Sequence, residues 1–231
     1  MVDHVRRAAY LGALGIDQWV PRRPLSPAAA IEAAAAPPMP STDDPWASLQ
    51  ALVRDCRRCG LHAGRIQAVF GAGSRSAEWM VVGEAPGEEE DRQGEPFVGA
   101  SGQLLTAMLA AIGLSRESVF IANVLKCRPP GNRDPKPAEV AECLPHLEQQ
   151  VSMVRPRLVL AFGRVAAQNL LGTEATLGSL RGVVHRFGPL NTPVVVTYHP
   201  AYLLRSPGEK RKAWEDLKFA RQVFADLPSR D

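Results

Sequence analysis

At 231 residues, 45% of them hydrophobic, the chain is long enough for one α/β domain of about 150–200 residues with a full core, plus some extra length. A formal net charge of only +3 makes the total a weak argument for a polyanionic partner, so the distribution of charge has to carry that question. No run approaches the ~20 apolar residues of a membrane-spanning helix. The apolar stretch after Arg6 and Arg7 is broken by Asp17 and Gln18 with no small-residue cleavage site behind it, so no secretory signal is expected and the expectation is a cytoplasmic protein with reduced cysteines.

Residues 1–48 differ from the rest. Leu11, Leu14, Ile16 and Trp19 in residues 10–20 suit a short docking helix or binding tail. The alanine runs at 28–30 and 33–36 and Pro37-Pro38-Met39-Pro40 read as an Ala/Pro-rich linker with little apolar surface to bury. Residues 49–231 are expected to form the folded domain, its α/β pattern beginning near Trp46. Residues 79–82 read as a buried strand ending in Gly83-Glu84-Ala85-Pro86-Gly87, and 103–112 as an apolar-periodic helix stopped by Gly113. A second strand is expected at 119–124, and a helix with proline in its first turn at 137–151. A third strand at 158–162 precedes a helix at 164–171. Residues 183–187 suit a hairpin arm, 194–198 a further strand ending in His199-Pro200, and 210–224 the last helix. Strands alternating with helices imply a single three-layer α/β domain, its central, mainly parallel sheet covered by helices on both faces. Ligands in such sheets bind beyond the carboxyl ends of the strands, which selects the segments after residues 82, 122, 162 and 198.

Those segments hold the unusual residues. Taken singly, Glu88-Glu89-Glu90-Asp91 suits a solvated helix start, Phe97 a core position, Asn123 a loop cap and His199 a satisfied structural histidine. Together they meet the needs of a base flipped out of a nucleic acid. Phe97 offers a stacking face, Asn123 an amide to read a Watson–Crick edge, and His199 a donor for the oxygen that gains charge as a base departs.

The cysteines form a second constellation. Cys56-Arg57-Arg58-Cys59 is a CxxC, while Cys127 and Cys143 lie far downstream with fifteen residues between them. Structural zinc ribbons usually bring two CxxC pairs, and here the second pair is split. Spacing alone leaves zinc and a [4Fe–4S] cluster equally open, with a thioredoxin-like redox role behind both.

The segments Gly83-Glu84-Ala85-Pro86-Gly87-Glu88-Glu89-Glu90-Asp91, Pro96-Phe97-Val98-Gly99, Asn123-Val124-Leu125-Lys126-Cys127-Arg128-Pro129-Pro130 and His199-Pro200-Ala201-Tyr202-Leu203-Leu204-Arg205 resemble the family 4 uracil-DNA glycosylases. The resemblance covers roughly residues 50–225, with the motifs in order and all four cysteines placed. It implies hydrolysis of the uracil N-glycosidic bond in single- or double-stranded DNA by a monomeric enzyme. Phe97 would stack on the ring, Asn123 would bond N3–H and O4, the backbone of Glu84 and Ala85 would contact the base, and His199 would stabilise the departing uracil anion at O2. Glu90 would lie near C5, where the methyl group of thymine must be kept out. The better-known family 1 enzymes have a water-orienting aspartate where this chain, like family 4 members, has Ala85. Water activation is then left to Glu84 or Glu90, or to neither if the path is dissociative.

The resemblance also implies that Cys56, Cys59, Cys127 and Cys143 hold a [4Fe–4S] cluster, and that Leu203 enters the space a flipped base vacates. Arg205, Lys210, Arg211 and Lys212 would meet phosphates, as would a second basic group of Lys126, Arg128, Arg133 and Lys136. Some cluster-bearing relatives trap uracil-DNA covalently through a histidine in the loop after the second strand. Residues 128–135 contain none, which favours turnover. A non-catalytic lesion-binding cluster protein and a zinc-stabilised hydrolase of free nucleotides are the competing readings.

Overall fold

The computed structural model describes residues 44–229, and the expectations for the N-terminal segment before Asp44 lie outside them. Among the described residues, the carboxylate of Asp44 accepts the N–H of Trp46 and caps helix α1 (Pro45–Arg54). Trp46, Leu49 and Val53 on one face of α1 are buried, so core residues lie on both sides of the expected boundary at 48.

The order continues with β1 (Ala72–Gly73), β2 (Trp79–Gly83), α2 (Glu88–Gln93), α3 (Ala100–Ala111), β3 (Phe120–Asn123), α4 (Pro137–Val154), β4 (Leu158–Phe162), α5 (Arg164–Leu171), α6 (Leu177–Leu180), β5 (Val184–Phe187), β6 (Thr192–Thr197), α7 (Pro200–Arg205) and α8 (Lys210–Asp226). The six strands lie in the order β1-β3-β2-β4-β6-β5, the middle four parallel and the two edges antiparallel. This is the expected mainly parallel sheet, and the arm at β5 pairs with β6 as a hairpin.

Alternation along the strands divides the core in two. Met80, Val82, Phe120, Ala122, Val159, Ala161, Val194 and Val196 face one layer, shared with Trp46 of α1, Val140, Leu147 and Val151 of α4, and Ala167 of α5. Trp79, Val81, Ile121, Leu158, Leu160, Phe162 and Val195 face the other, shared with Leu105 and Leu109 of α3, Leu203 of α7 and Leu217 of α8. Strands buried on both faces read in sequence as unbroken apolar runs, which is why they were legible.

The elements missed from the sequence are short. Helices α1, α2 and α7 span ten residues or fewer. Periodicity is weak over so few turns, and such helices exist mainly through tertiary packing.

Candidate active site

All the parallel strands end on one side of the sheet. A cavity of about 440 Å³ opens there, lined by residues from the segments after β2, β3 and β6, whereas the segment after β4, also expected there, contributes none. Glu84, Ala85, Pro86, Gly87 and Glu90 come from the segment after β2, Phe97 and Ser101 from the approach to α3, and Asn123, Asn132, Arg133 and Asp134 from the segment after β3. His199, Ala201, Tyr202 and Arg205 come from α7 and its cap. The fold thus brings together Glu84, Ala85, Glu90, Phe97, Asn123, His199 and Arg205. Lys210 and Arg211 lie outside the cavity, exposed in the first turn of α8.

The strand ends are zipped beyond the sheet proper. Val124 and Leu125 donate their N–H groups to the carbonyls of Gly83 and Glu84, at 3.0 Å each. That fixes Asn123 beside Gly83, its register partner. A side chain at Gly83 is impossible, because a Cβ there would stand 2.6 Å from Cζ of Phe97 and also collide with the amide oxygen of Asn123. Only glycine lets the ring and the amide meet at the bottom of the cavity. Asn123 is buried and its amide lines the cavity, used by no hydrogen bond within the described residues.

Its main chain is held by a group that sequence reasoning assigned elsewhere. Nζ of Lys126 donates to the carbonyl of Asn123 at 2.8 Å and to Oε1 of Gln150 at 2.6 Å, and Gln150 in turn donates to the carbonyl of Phe70. Lys126 is 1% exposed, so it cannot meet a phosphate. Its basic neighbours are paired as well: Arg128 with Glu88 at 3.1 Å, and Arg133 with both oxygens of Glu139. Of the expected second basic cluster, Lys126 is internal, Arg128 and Arg133 are ion-paired, and Lys136 is exposed.

Phe97 has φ of +56°, a left-handed conformation uncommon for a bulky residue, so its surroundings must enforce it. Arg116 donates to the carbonyls of Pro96 and Phe97, at 2.8 and 3.1 Å. Glu90 accepts the N–H groups of Val98 and Gly99 on one oxygen and of Gly87 on the other. A Cβ at Gly102 would overlap the carbonyl of Phe97, so that position needs glycine too. Glu90 therefore lines the cavity with both oxygens committed to backbone, a scaffold for the Phe97 loop and not a free base. The acidic run proves to be the first turn of α2, as its composition allowed, with Glu90 and Asp91 turned inward to bind backbone N–H groups.

Glu84 behaves differently. Its carboxyl makes no hydrogen bond within the described residues, and burial, together with the charge of Asp134 and against Arg164, pushes its pKa up to about 7. His199 moves the other way. Burial first, then the charge of Arg205, lower its pKa to about 4 against the opposing effect of Glu90. Nδ1 of His199 accepts the N–H of Ala201 at 3.1 Å, capping α7. A neutral ring that accepts at Nδ1 carries its proton on Nε2. The ring stands 5.6 Å from that of Phe97, with 30° between their planes. Gly163, at the end of β4 with φ of +94°, leaves room for this loop, since a Cβ there would be 2.9 Å from Cβ of His199.

Leu203, expected to enter the space a flipped base vacates, is not at the surface. It is 1% exposed and packed with Leu104, Met108 and Leu217 between α3 and α8. The turn of α7 explains the correction: residues 200 and 203 share its inner face, while Tyr202 and Leu204 are 40% and 43% exposed. Ser101 and Asp134 also line the cavity, and no sequence signal marked either.

The four cysteines, none in a disulfide, line a second cavity with Arg58, His62, Arg65, Lys126, Glu142 and His146. Arg65 donates to Sγ of Cys127 at 2.8 Å, and the backbone N–H of Lys126 to Sγ of Cys143 at 3.2 Å. Burial raises the Cys127 thiol and carries that of Cys143 up to about 11. Nε2 of His146 is buried in this cavity without a partner among the described residues. No three His, Cys, Asp or Glu side chains among the described residues are grouped as a site for a single metal ion.

Known proteins similar to this chain include several uracil-DNA glycosylases. The sequence pattern of the uracil DNA glycosylase superfamily matches residues 70–218. A type-4 uracil-DNA glycosylase of Archaeoglobus fulgidus is 47% identical over 181 residues, 74% of this chain and 90% of that one. This chain belongs to the uracil DNA glycosylase superfamily. Its type-4 affinity is broad: the type-4 enzyme of Thermotoga maritima is 39% identical over 74% of this chain and 91% of its own. A type-5 uracil-DNA glycosylase of Pyrobaculum aerophilum shares 34% identity over only 57% of this chain. The superfamily match spans all four segments that line the first cavity, and the six-stranded sheet with helices on both faces is the corresponding fold.

Proposed function

We infer that this protein excises uracil from DNA, hydrolysing the bond between N1 of the base and C1′ of the sugar and leaving an abasic site. The observation that carries the reading is the convergence of three unlike groups on one cavity: the ring of Phe97, the unengaged amide of Asn123 and the neutral imidazole of His199.

A uracil turned into this cavity stacks on Phe97 and presents N3–H and O4 to the Asn123 amide, acceptor to donor and donor to acceptor. Cytosine reverses the pattern, and a buried polar mismatch costs on the order of 1–3 kcal/mol. As the C1′–N1 bond breaks, its electron pair leaves with the base and charge collects on O2, where Nε2–H of His199 donates. A neutral imidazole suits this task, because it stabilises the anion by a hydrogen bond without first holding a charge of its own. Water adds to C1′ and its proton passes to Glu84, whose value near neutrality suits a group that is carboxylate before the step and acid after it. The same carboxylate, with Asp134 beside it, stabilises positive charge on the sugar. Arg205, Lys210 and Arg211 offer exposed cations for the phosphates around the flipped nucleotide.

For the cysteines, a [4Fe–4S] cluster is the reading we favour. Four thiols around a common cavity, with N–H donors already aimed at two of the sulfurs, suit a thiolate-bound metal group, and the resemblance in sequence selects the cluster over a single zinc ion. Cys56, Cys59, Cys127 and Cys143 would hold it. Its chemistry there is that of a cross-link, tying the segment after α1 to the loop that carries Asn123 and to α4.

The test is incubation with uracil-containing single- and double-stranded oligonucleotides, followed by alkali. Strand scission at uracil well above that of the His199→Ala protein is expected. Scission no greater than that control sinks the reading.

A further inference from the structure

Tyr202 is the aromatic side chain that the proposed excision step leaves without a task. It lines the mouth of the cavity and is 40% exposed, turned outward by the same helical twist that buries Leu203. An exposed ring on a short helix would ordinarily be free to swing, and this one is braced. It stacks on Tyr198 with ring centroids 5.5 Å apart and 12° between planes. The guanidinium of Arg181 lies over the Tyr198 ring at 4.5 Å, and its NH1 donates to the Tyr198 hydroxyl at 3.3 Å. Arg181 is itself locked, donating to both oxygens of the buried Asp216 at 2.7 and 2.9 Å, while Asp216 also accepts the hydroxyl of Thr197. A column of Arg181, Tyr198 and Tyr202 thus rises from the core to the surface. Arg205, three residues further along α7 and so on the same side of the helix, also lines the cavity.

We propose that Tyr202 is a stacking platform for the nucleobase next to the flipped uracil on the same strand, with Arg205 meeting the phosphate between the two. A flat ring backed on one side and solvent-facing on the other, at the mouth of a cavity that holds one base, has the form needed to receive a second planar group. Because the ring is already fixed, little conformational freedom is lost when a base settles on it. Stacking is indifferent to base identity, so this subsite grips DNA without adding a sequence preference, and it works on single strands as well as duplexes. The inference rests on uracil excision as the activity.

Steady-state kinetics on a short single-stranded oligonucleotide containing one uracil test it. Tyr202→Ala is expected to raise KM roughly ten- to hundredfold, with the loss falling on KM and not on kcat, and Tyr202→Phe to restore binding. The decisive arm removes the base instead. Substrates carrying a tetrahydrofuran abasic analogue on the 5′ or the 3′ side of uracil should, on one of the two sides, weaken the wild-type protein as much as Tyr202→Ala does, with no further loss when both changes are combined. 2-Aminopurine at that position should be quenched by the wild-type protein and not by Tyr202→Ala. Inhibition by free uracil separates the platform from the uracil pocket, and its constant should be the same in wild type and Tyr202→Ala. Losses that add independently on both sides, a wild-type KM for Tyr202→Ala, or weakened uracil inhibition would each overturn the proposal. No scission by the wild-type protein would instead overturn the activity on which it rests. Matching melting curves and visible spectra for the variants exclude a folding defect as the cause.

Discussion

In the cavity beyond the strand ends, the amide of Asn123 and Nε2 of His199 have no hydrogen-bond partner among the described residues. In the cysteine-lined cavity, reached four residues along the chain at Cys127, Arg65 and the backbone of Lys126 already donate to sulfur. The two regions share one backbone and opposite policies toward polar atoms. The first holds its groups rigid from behind, by Lys126 under Asn123, Glu90 and Arg116 under Phe97, and the α7 cap under His199, and keeps their business ends open. The second encloses its groups, and the burial that raises the Cys127 and Cys143 thiols leaves their thiolates costly until a cation answers them.

The largest effect expected from breaking this contrast is at the cysteines. Cys127→Ala should abolish an absorbance shoulder near ~400 nm and lower Tm by about 10 °C or more, since binding of the group is folding free energy for the loop it ties. A wild-type Tm and an unchanged spectrum would detach the cysteines from that role. His199→Ala comes next: kcat should fall about 10²–10³-fold through loss of the donor to the departing base, while loss of the α7 cap should lower stability by only about 1 kcal/mol. Single-turnover rates beside melting curves check both halves.

Glu84 is expected to act through pH. With its pKa near 7, excision should climb as pH rises through neutrality and the carboxyl ionises. In Glu84→Gln that limb should vanish, with roughly tenfold lower activity above it. His199, held near 4, should stay neutral across this range and contribute only an acid limb. Linkage gives a stability counterpart. The folded-state value of Glu84 lies above the ordinary 4.5, so the folded protein binds the extra proton and loses stability as pH rises between those values, a loss that Glu84→Gln should lack. A profile with the same limb in both proteins would exclude Glu84 as its source.

The smallest expected effect joins the two regions. Lys126→Met should leave Phe97 and His199 in place but free the Asn123 carbonyl, lowering the preference for uracil over cytosine several-fold, about 1 kcal/mol. Comparison of excision from U- and C-containing strands would show it. An unchanged ratio would mean that the Val124 and Leu125 hydrogen bonds hold Asn123 alone.

Much of this was legible in the chain. The apolar runs at β2, β3 and β4 predicted buried parallel strands because both faces of each are covered. The carboxyl ends of β2, β3 and β6 then pointed to Glu84, Asn123 and His199 without any coordinates. What misled was the reading of charge and exposure inside loops. Lys126 looked like a phosphate contact, and Leu203 like a surface wedge, because a residue's burial in a loop or a six-residue helix depends on what packs over it. Glu90 and Glu84 likewise looked interchangeable as acids.

The sequence by itself determined the layer architecture, the strand ends that line the cavity, and the place of the four cysteines and of Phe97, Asn123 and His199 in a recognisable pattern, because periodicity and motif spacing are local properties. Only the tertiary structure decided which acid is free and which is a scaffold, which lysine faces inward, and that Tyr202 rather than Leu203 faces the solvent. Those outcomes turn on hydrogen bonds and packing between residues tens of positions apart, such as Lys126 with Gln150 and Arg181 with Asp216, and no local pattern encodes them.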